Sequence, residues 1–348
     1  MFNKEENDVF HSVHINEAVY NKESCGILHY YDYSSDDIPD DGTYNFREGG
    51  DNIHESKIMG GKDVDISKEP WAVQIYLMNK FLCGGTLVAR NYVMTAAHCI
   101  KENCHAFKIQ KKDLEKLEVL INFPGNEMAN YLDETLKGGQ LPFLRTHVRS
   151  ISLPAIDDDD MIICQGVNDF ALLELDTIIP EGYSYACIPI FDAPLYAMYS
   201  SGFYVVGYGR NPIMERRMKM TQNKAIINGN ENVTILHYDR NKIQRLDVNV
   251  IFSYPACRIK PSIPADQGYI CAYDRADEGV CEGDSGSGLY RKHSGIQSEN
   301  KEERTYLVGI VSKAAPCIEG KDWVNVNYQL YTDVYEQSGV YKIFFPNT

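Results

Sequence analysis

The sequence predicts an all-β protein, and three observations carry that expectation. From Pro70 onward, short β-rich runs such as Pro70-Trp71-Ala72-Val73-Gln74-Ile75-Tyr76-Leu77 are separated by turn residues. A second β series opens at Gly202-Phe203-Tyr204-Val205-Val206-Gly207-Tyr208-Gly209. The ten cysteines are even in number and form no CxxC pair, which favours a disulfide framework over zinc or thiol redox chemistry.

At 348 residues and 44 % hydrophobic, the chain can build two packed domains and a tail. The net charge of -15 argues against nucleic acid or an anionic membrane as partner. Residues 1 to 57 hold 13 Asp/Glu against 4 Lys/Arg, so the excess is concentrated in a leader rich in Asp, Ser, Tyr and Gly. That composition reads as an extended segment with Cys25 in its middle. Met1 to Tyr20 lacks an apolar run of signal-peptide length, and no stretch suits a membrane span. Since disulfides need an oxidising compartment, the export signal is expected to lie outside this sequence, and the sequon at Asn232 fits a secreted surface loop.

Beyond the leader the chain changes character at Lys57-Ile58-Met59-Gly60-Gly61. Two apolar runs, 81 to 88 and 92 to 99, read as buried strands that put His98 at a strand end, with Cys83 and Cys99 spaced to close a loop across them. Asn168-Asp169 stands at the mouth of the apolar run 170 to 175, where an aspartate stays ionised only with hydrogen bonds or a cation. As an isolated feature Asp169 reads equally well as a strand or helix cap. Asp157 to Asp160 is a solvated loop or a weak calcium site. A polar insert spans about 210 to 245, and 335 to 345 suits a short helix.

The stretch that organises the chain is Cys281-Glu282-Gly283-Asp284-Ser285-Gly286-Ser287-Gly288. A serine between glycines on a tight turn can be presented as a nucleophile while neighbouring N–H groups converge on an oxyanion. Taken alone, the same residues are also ordinary turn formers. Serine needs a base within hydrogen-bond reach, itself oriented by a third group.

TAAHC at 95 to 99, NDFALLEL at 168 to 175, GDSG at 283 to 286 and GIVS at 309 to 312 together resemble the chymotrypsin-like serine proteases, in motif and in order. The resemblance covers about residues 57 to 340. It implies two antiparallel six-stranded β-barrels with a short C-terminal helix and an N-terminal propeptide. The expected domains are a propeptide at 1-57, a barrel at 58-190 with His98 and Asp169, and a barrel at 191-348 with Ser285. By resemblance, Ser285 is the nucleophile of a secreted endopeptidase, His98 the general base, Asp169 its orienting acid, and the Gly283 and Ser285 N–H groups the oxyanion hole. Cleavage after Lys57 would free the Ile58 amine to pair with Asp284 and order that turn. Activity should then rise as His98 loses its proton near pH 6 to 7 and fall in alkali as the amine, titrating at about 8, deprotonates.

The same resemblance pairs Cys83 with Cys99, Cys257 with Cys271, Cys281 with Cys317, and Cys25 with Cys187 as a tether for the cleaved leader. Cys104 and Cys164 remain, and a bond between them would join the loops flanking His98 and Asp169. The family bond near Phe203 and Arg291 is missing at both ends.

Several positions depart from the family. Gly279 stands at the floor of the S1 pocket where trypsin-like preference needs an aspartate, although Asp277 and Glu278 are close by. Ala314 and Gln329 replace wall glycines, which favours small or medium apolar P1 residues. Lys313 follows Ser312 where tryptophan is usual and should tolerate acidic P2 to P4 residues, with Glu282 also at the substrate cleft. Ser287 and Gly288 replace a glycine and a proline; if the backbone at 287 needs positive φ, serine costs roughly 1 kcal/mol. No cofactor or metal is implied. The partners implied are a peptide or protein substrate, an activating protease and a protein inhibitor, with no nucleic acid. A non-catalytic protease-like binding protein is the alternative, and a metal module on His98, Cys99, Cys104 and His105 has spacing that suits neither zinc ribbons nor haem attachment.

Overall fold

The computed structural model describes residues 24–28, 58–100, 109, 111–122, 144–153, 169–189, 202–209, 243–251, 268–273, 278–294, 303–314 and 328–335. Strands dominate them, and they close into two six-stranded antiparallel barrels. The first contains β2 (Ala72–Leu77), β3 (Lys80–Ala89), β4 (Tyr92–Thr95), β5 (Leu117–Ile121), β6 (Leu144–Ser152) and β7 (Ala171–Leu175), in the order β2-β3-β4-β7-β6-β5, with β2 pairing β5 to shut the ring. The second contains β8 (Phe203–Gly207), β9 (Gln244–Ile251), β10 (Tyr269–Tyr273), β11 (Gly288–Ser294), β12 (Glu303–Lys313) and β13 (Tyr328–Asp333), closed by the β8–β9 pair. Closure leaves neither barrel with an open edge.

Local sequence explains how the strands meet. Met78 and Asn79 link β2 to β3 with φ of 52° and 61°, the left-handed pair that a two-residue hairpin of type I′ demands. Asparagine tolerates that conformation; Met78 occupies it with a side chain that is largely exposed. On β4 every residue is buried, which accounts for the uninterrupted apolar run in the sequence.

Three expectations are corrected by these elements. His98 does not end a strand but lies in α1 (Ala97–Ile100), a single turn directly after β4, because Cys99 N–H donates to Ala96 O and starts a helical turn at Ala96. The insert expected to reach 245 ends earlier, since Ile243 is buried and β9 begins at Gln244. β1 (Lys62–Asp63), within the span expected for the first barrel, pairs instead with β9 of the second. Asn232, Asp157 to Asp160 and the C-terminal helix lie outside the described residues.

The barrels meet along an aromatic seam. Trp71, Tyr204 and Tyr290 are fully buried, with ring centroids 6.3 Å apart for Trp71–Tyr290 and 5.6 Å for Tyr204–Tyr290. Tyr290 shares a 2.7 Å hydrogen bond with Thr86 across the seam. This explains Gly288: a Cβ there would run into the Tyr290 ring and would come within 2.6 Å of the Thr86 hydroxyl, so proline has no room. Where the family bond is missing, Arg291 and Phe203 stand in direct register and the guanidinium lies 5.0 Å from the ring centroid. A cation–π contact therefore occupies the cross-strand position of the absent disulfide.

The Cys83–Cys99 disulfide ties β3 to α1, contributing on the order of 3 kcal/mol in the chain-entropy view. Cys25–Cys187 fastens the leader to the connection between barrels. There Gly26 N–H donates to Tyr185 O at 2.7 Å and Gly26 O accepts from Thr305 N–H at 3.0 Å, so five leader residues are stitched into the body. Cys271 and Cys281 are also disulfide-bonded, to partners outside the described residues, where Cys257 and Cys317 lie. Cys104 and Cys164 lie outside them too. The Cys83–Cys99 bond removes Cys99 from any metal set with His98.

Candidate active site

Asp169 precedes β7 by two residues and is 2 % exposed. Its Oδ1 accepts from His98 backbone N–H at 2.9 Å; its Oδ2 lies 2.8 Å from His98 Nδ1 and accepts from the Ser312 hydroxyl at 2.5 Å. Burial alone would push this carboxyl up, but the His98 hydrogen bond and charge, with Ser312, outweigh it and hold Asp169 below the ordinary carboxylate range. An ionised carboxylate only accepts, so Nδ1 carries the proton and Nε2 is the basic nitrogen of neutral His98. Thr332 Oγ1 donates to Asp169 O at 3.0 Å and fixes the backbone as well.

Ser312 reaches Asp169 through an irregularity of β12. Val311 pairs Tyr331 and Lys313 pairs Leu330, so Ser312 is the extra residue of a bulge. Bulges re-aim side chains, and here one directs a hydroxyl at the carboxylate.

The nucleophile stretch consists of two consecutive turns. Asp284 N–H donates to Cys281 O at 3.0 Å with Gly283 third in the turn at φ 95°, and Ser287 N–H donates to Asp284 O at 3.0 Å with Gly286 third at φ 79°. Positive φ at that position is the type II requirement, met by glycine both times. Ser287 has no positive φ, so the expected backbone cost does not arise. Its hydroxyl is buried where a Cβ on Gly84 would stand, and a Cβ on Gly207 would lie 3.2 Å from it.

Ser285, partly exposed, is anchored to both barrels. Its carbonyl accepts from Gly84 N–H at 2.9 Å, while Gly286 N–H donates to Val311 O at 2.9 Å. A Cβ on Gly286 would overlap Thr95 Oγ1 and come within 3.2 Å of Ala96 N, which sets the Ser285 turn against the β4–α1 junction that carries His98. Gly283 packs beside the Phe81 ring, a neighbour that sequence reading missed and that only the fold could reveal. The structure thus joins His98, Asp169 and Ser312 by hydrogen bonds and packs the turn of Gly283 and Ser285 against the segment that carries His98. A neutral imidazole oriented by a buried carboxylate, beside a serine on a turn rich in N–H groups, can take a proton from a hydroxyl and stabilise a developing oxyanion.

Asp284 is fully buried. Its oxygens accept from Gly209 N–H at 2.7 Å and Cys281 N–H at 2.8 Å, and the carboxylate fills space that a Cβ on Gly207 or Gly209 would take. Burial pushes it up to about 7 despite those two donors. Ile58 is fully buried, and Met59 bridges Gly279, whose N–H donates to Met59 O at 2.8 Å. Gly279 and Val280 are buried, and Gln329, 1 % exposed, accepts a 2.5 Å hydrogen bond from the Tyr331 hydroxyl. Glu282, Lys313 and Ala314 are exposed. Lys57 lies outside the described residues.

With this geometry, the comparison with known proteins is decisive: the trypsin family model matches residues 58–337. The chain belongs to the trypsin family. It is therefore a serine endopeptidase, a hydrolase acting on peptide or protein substrates. Trypsin-like protease try-5 of Caenorhabditis elegans is 27 % identical over 289 residues, covering 76 % of this chain and 79 % of that protein. Mouse kallikrein 1-related peptidase b11 is 49 % identical over 45 residues, 13 % of this chain and 17 % of its own length. Mouse kallikrein 1-related peptidase b22 is 44 % identical over 48 residues, 14 % of this chain and 18 % of its own. No described helix is long and apolar enough to cross a membrane.

Proposed function

We propose that this chain is a secreted, zymogen-activated endopeptidase whose triad is Ser285, His98 and Asp169. The observation that carries the reading is the His98–Asp169–Ser312 hydrogen-bond set beside the double turn of Ser285. In the reaction, Ser285 Oγ attacks the scissile carbonyl as its proton passes to His98 Nε2, and the oxyanion is held by the Gly283 and Ser285 N–H groups. The imidazolium returns the proton to the leaving amine, leaving an acyl-enzyme. Water, deprotonated by His98, then releases the carboxylic acid and restores Ser285. Cleavage after Lys57 by a protease with Lys preference frees the Ile58 ammonium, which pairs with Asp284, while Cys25–Cys187 retains the leader. A further disulfide joins Cys104 to Cys164, a glycan sits on Asn232, and a protein inhibitor acts at the cleft.

Treatment with a fluorophosphonate probe tests this. Labelling of Ser285 should require both cleavage at Lys57-Ile58 and an intact His98. Folded, cleaved protein that does not label would instead be a binding homologue.

The floor and walls of the S1 pocket support a P1 preference for small or medium apolar residues. Gly279 and Val280 bring no charge, and Gln329, held by Tyr331, occupies a wall. Lys313 favours acidic residues at P2 to P4, and Glu282 borders the cleft. In a peptide library, Gln329→Gly should shift the P1 preference toward larger apolar residues by about tenfold in kcat/KM, the scale of one or two methylenes in a pocket. An unchanged profile would place Gln329 outside S1.

A further inference from the structure

Residues 24–28 of the leader are held by more than the Cys25–Cys187 bond, and the groups that hold them lie on β12 beyond the reach of β13. β11 pairs β12 from Glu303 to Ile310, but β13 pairs it only from Gly309 to Lys313. The backbone before that point turns to the connection between the barrels. Cys187 N–H donates to Thr305 O at 2.9 Å and Leu307 N–H donates to Cys187 O at 2.8 Å, which makes a parallel bridge at Tyr306. Thr305 N–H goes to the leader, donating to Gly26 O at 3.0 Å. Thr305 is 1 % exposed, so a buried N–H takes its acceptor from a segment that precedes the Lys57-Ile58 junction.

Side chains extend the contact on both sides. Buried Arg304 donates through Nη1 to Cys25 O at 3.3 Å, the Ser24 and Tyr185 hydroxyls share a 2.9 Å hydrogen bond, and Leu28 packs against the core. Gly26 N–H donates to Tyr185 O at 2.7 Å. Gly26 is the position that discriminates. Its φ is +68°, and a Cβ there would lie 2.6 Å from Thr305 O, 2.8 Å from Thr305 N and 3.0 Å from Cys187 Sγ. Two of those are backbone atoms of a paired strand that cannot move aside, so the site accepts glycine after the cysteine and no other residue.

We propose that Tyr185, Cys187, Arg304 and Thr305 form a recognition site for the leader's Ser24-Cys25-Gly26 turn, which keeps residues 1 to 57 on the cleaved protein as a second chain with or without the disulfide. The inference goes beyond the activation reading, because the site is complete in the intact chain. Docking and the disulfide support each other. The bound turn holds the two sulfurs side by side, which raises their effective concentration, and it also seals them, since Cys25 is 2 % and Cys187 1 % exposed. Exchange needs a thiolate to reach a sulfur, so reduction must wait for the turn to leave. The leader's 13 Asp and Glu residues consequently stay on the mature molecule.

Cys25 is the leader's one cysteine, so Cys25→Ala with Cys187→Ala removes every covalent link across a cut at Lys57. After that cut, the leader of C25A/C187A should elute with the body on size exclusion in dilute, non-denaturing buffer. Adding Gly26→Ala should raise the dissociation constant by about tenfold or more, the scale of a residue forced into an unfavourable backbone conformation. Equal retention with and without G26A, whether high or low, overturns the proposal. A second measurement leaves both cysteines in place. Under native conditions dithiothreitol, itself oxidised to its cyclic disulfide, should convert Cys25–Cys187 to two thiols about tenfold faster in G26A than in wild type, as read by alkylation and peptide mapping. Tyr185→Phe with Arg304→Met leaves the Gly26 backbone unstrained and should shift both measurements the same way; reduction at the wild-type rate in both variants also overturns the proposal. The uncut chain gives the same comparison, so the result is independent of whether cleavage at Lys57 activates the peptidase, which fluorophosphonate labelling reads separately.

Discussion

Ser285→Ala and His98→Ala should each lower kcat by about 10⁶-fold, and the double variant should be no slower than either single one, because triad members act as a unit. The reason lies in the proton path. Without His98 Nε2, the Ser285 hydroxyl keeps its proton at neutral pH; without the hydroxyl, the imidazole has nothing to activate. Asp169→Asn should cost about 10⁴-fold. An amide at Asp169 can present its NH₂ to Nδ1, which turns the imidazole to the wrong tautomer while the Ser312 and Thr332 contacts keep the shell in place. Steady-state kinetics on the cleaved protein, with circular dichroism to show retained fold, reads these effects. A loss under tenfold for Ser285→Ala would remove it from the role of nucleophile.

Cleavage at Lys57 should stabilise the protein at alkaline pH, and by a large amount. Among the described residues, no cation reaches the Asp284 carboxylate in the intact chain, which accepts only the Gly209 and Cys281 N–H groups. Its proton is held up to about 7 in the fold, whereas the unfolded chain releases it near the ordinary carboxyl value of 3.8. Between those values the folded state binds more protons than the unfolded one, so stability falls as pH rises. This contribution is complete near pH 4 and lost by about pH 7. The scale is on the order of 4 kcal/mol, since the rise from 3.8 to about 7 spans about three tenfold changes in proton affinity, each worth about 1.4 kcal/mol. An ammonium delivered by cleavage reverses the sign of this contribution at Asp284. At pH 8 the cleaved protein should therefore melt roughly 10 °C above the uncleaved one, and the gap should close toward pH 4. Parallel calorimetry of the two forms across that range is the measurement. Superimposed curves would mean that no ion pair forms at Asp284.

How far the sequence could be read differs from residue to residue. The strands were legible because apolar runs bounded by glycine and asparagine state their own limits. The candidate triad His98, Asp169 and Ser285 could be nominated from sequence because each sits in a short motif whose neighbours are needed locally, as with the positive φ of Gly283 and Gly286. The burial of Glu69 was not legible. An acid before Pro70-Trp71 looks like an ordinary solvated residue, and its burial is created by Tyr204 and Arg245, more than a hundred positions away. Ser287 was misjudged for a related reason. The expectation treated serine as a backbone problem, whereas the space for its side chain is made by Gly84 in the other barrel. Likewise α1 defied the strand pattern because four residues carry no period that separates a final strand residue from a first helical one.

The Ser285 turn takes a hydrogen bond from Gly84 on one barrel and gives one to Val311 on the other. It works as a rivet through both halves of the molecule, and a rivet cannot stay set when the plates part. On the proposed triad, a molecule whose barrels have not yet closed, or have begun to separate, should lack a positioned nucleophile. On that reading, assembly of the two barrels and arming of the serine are one event.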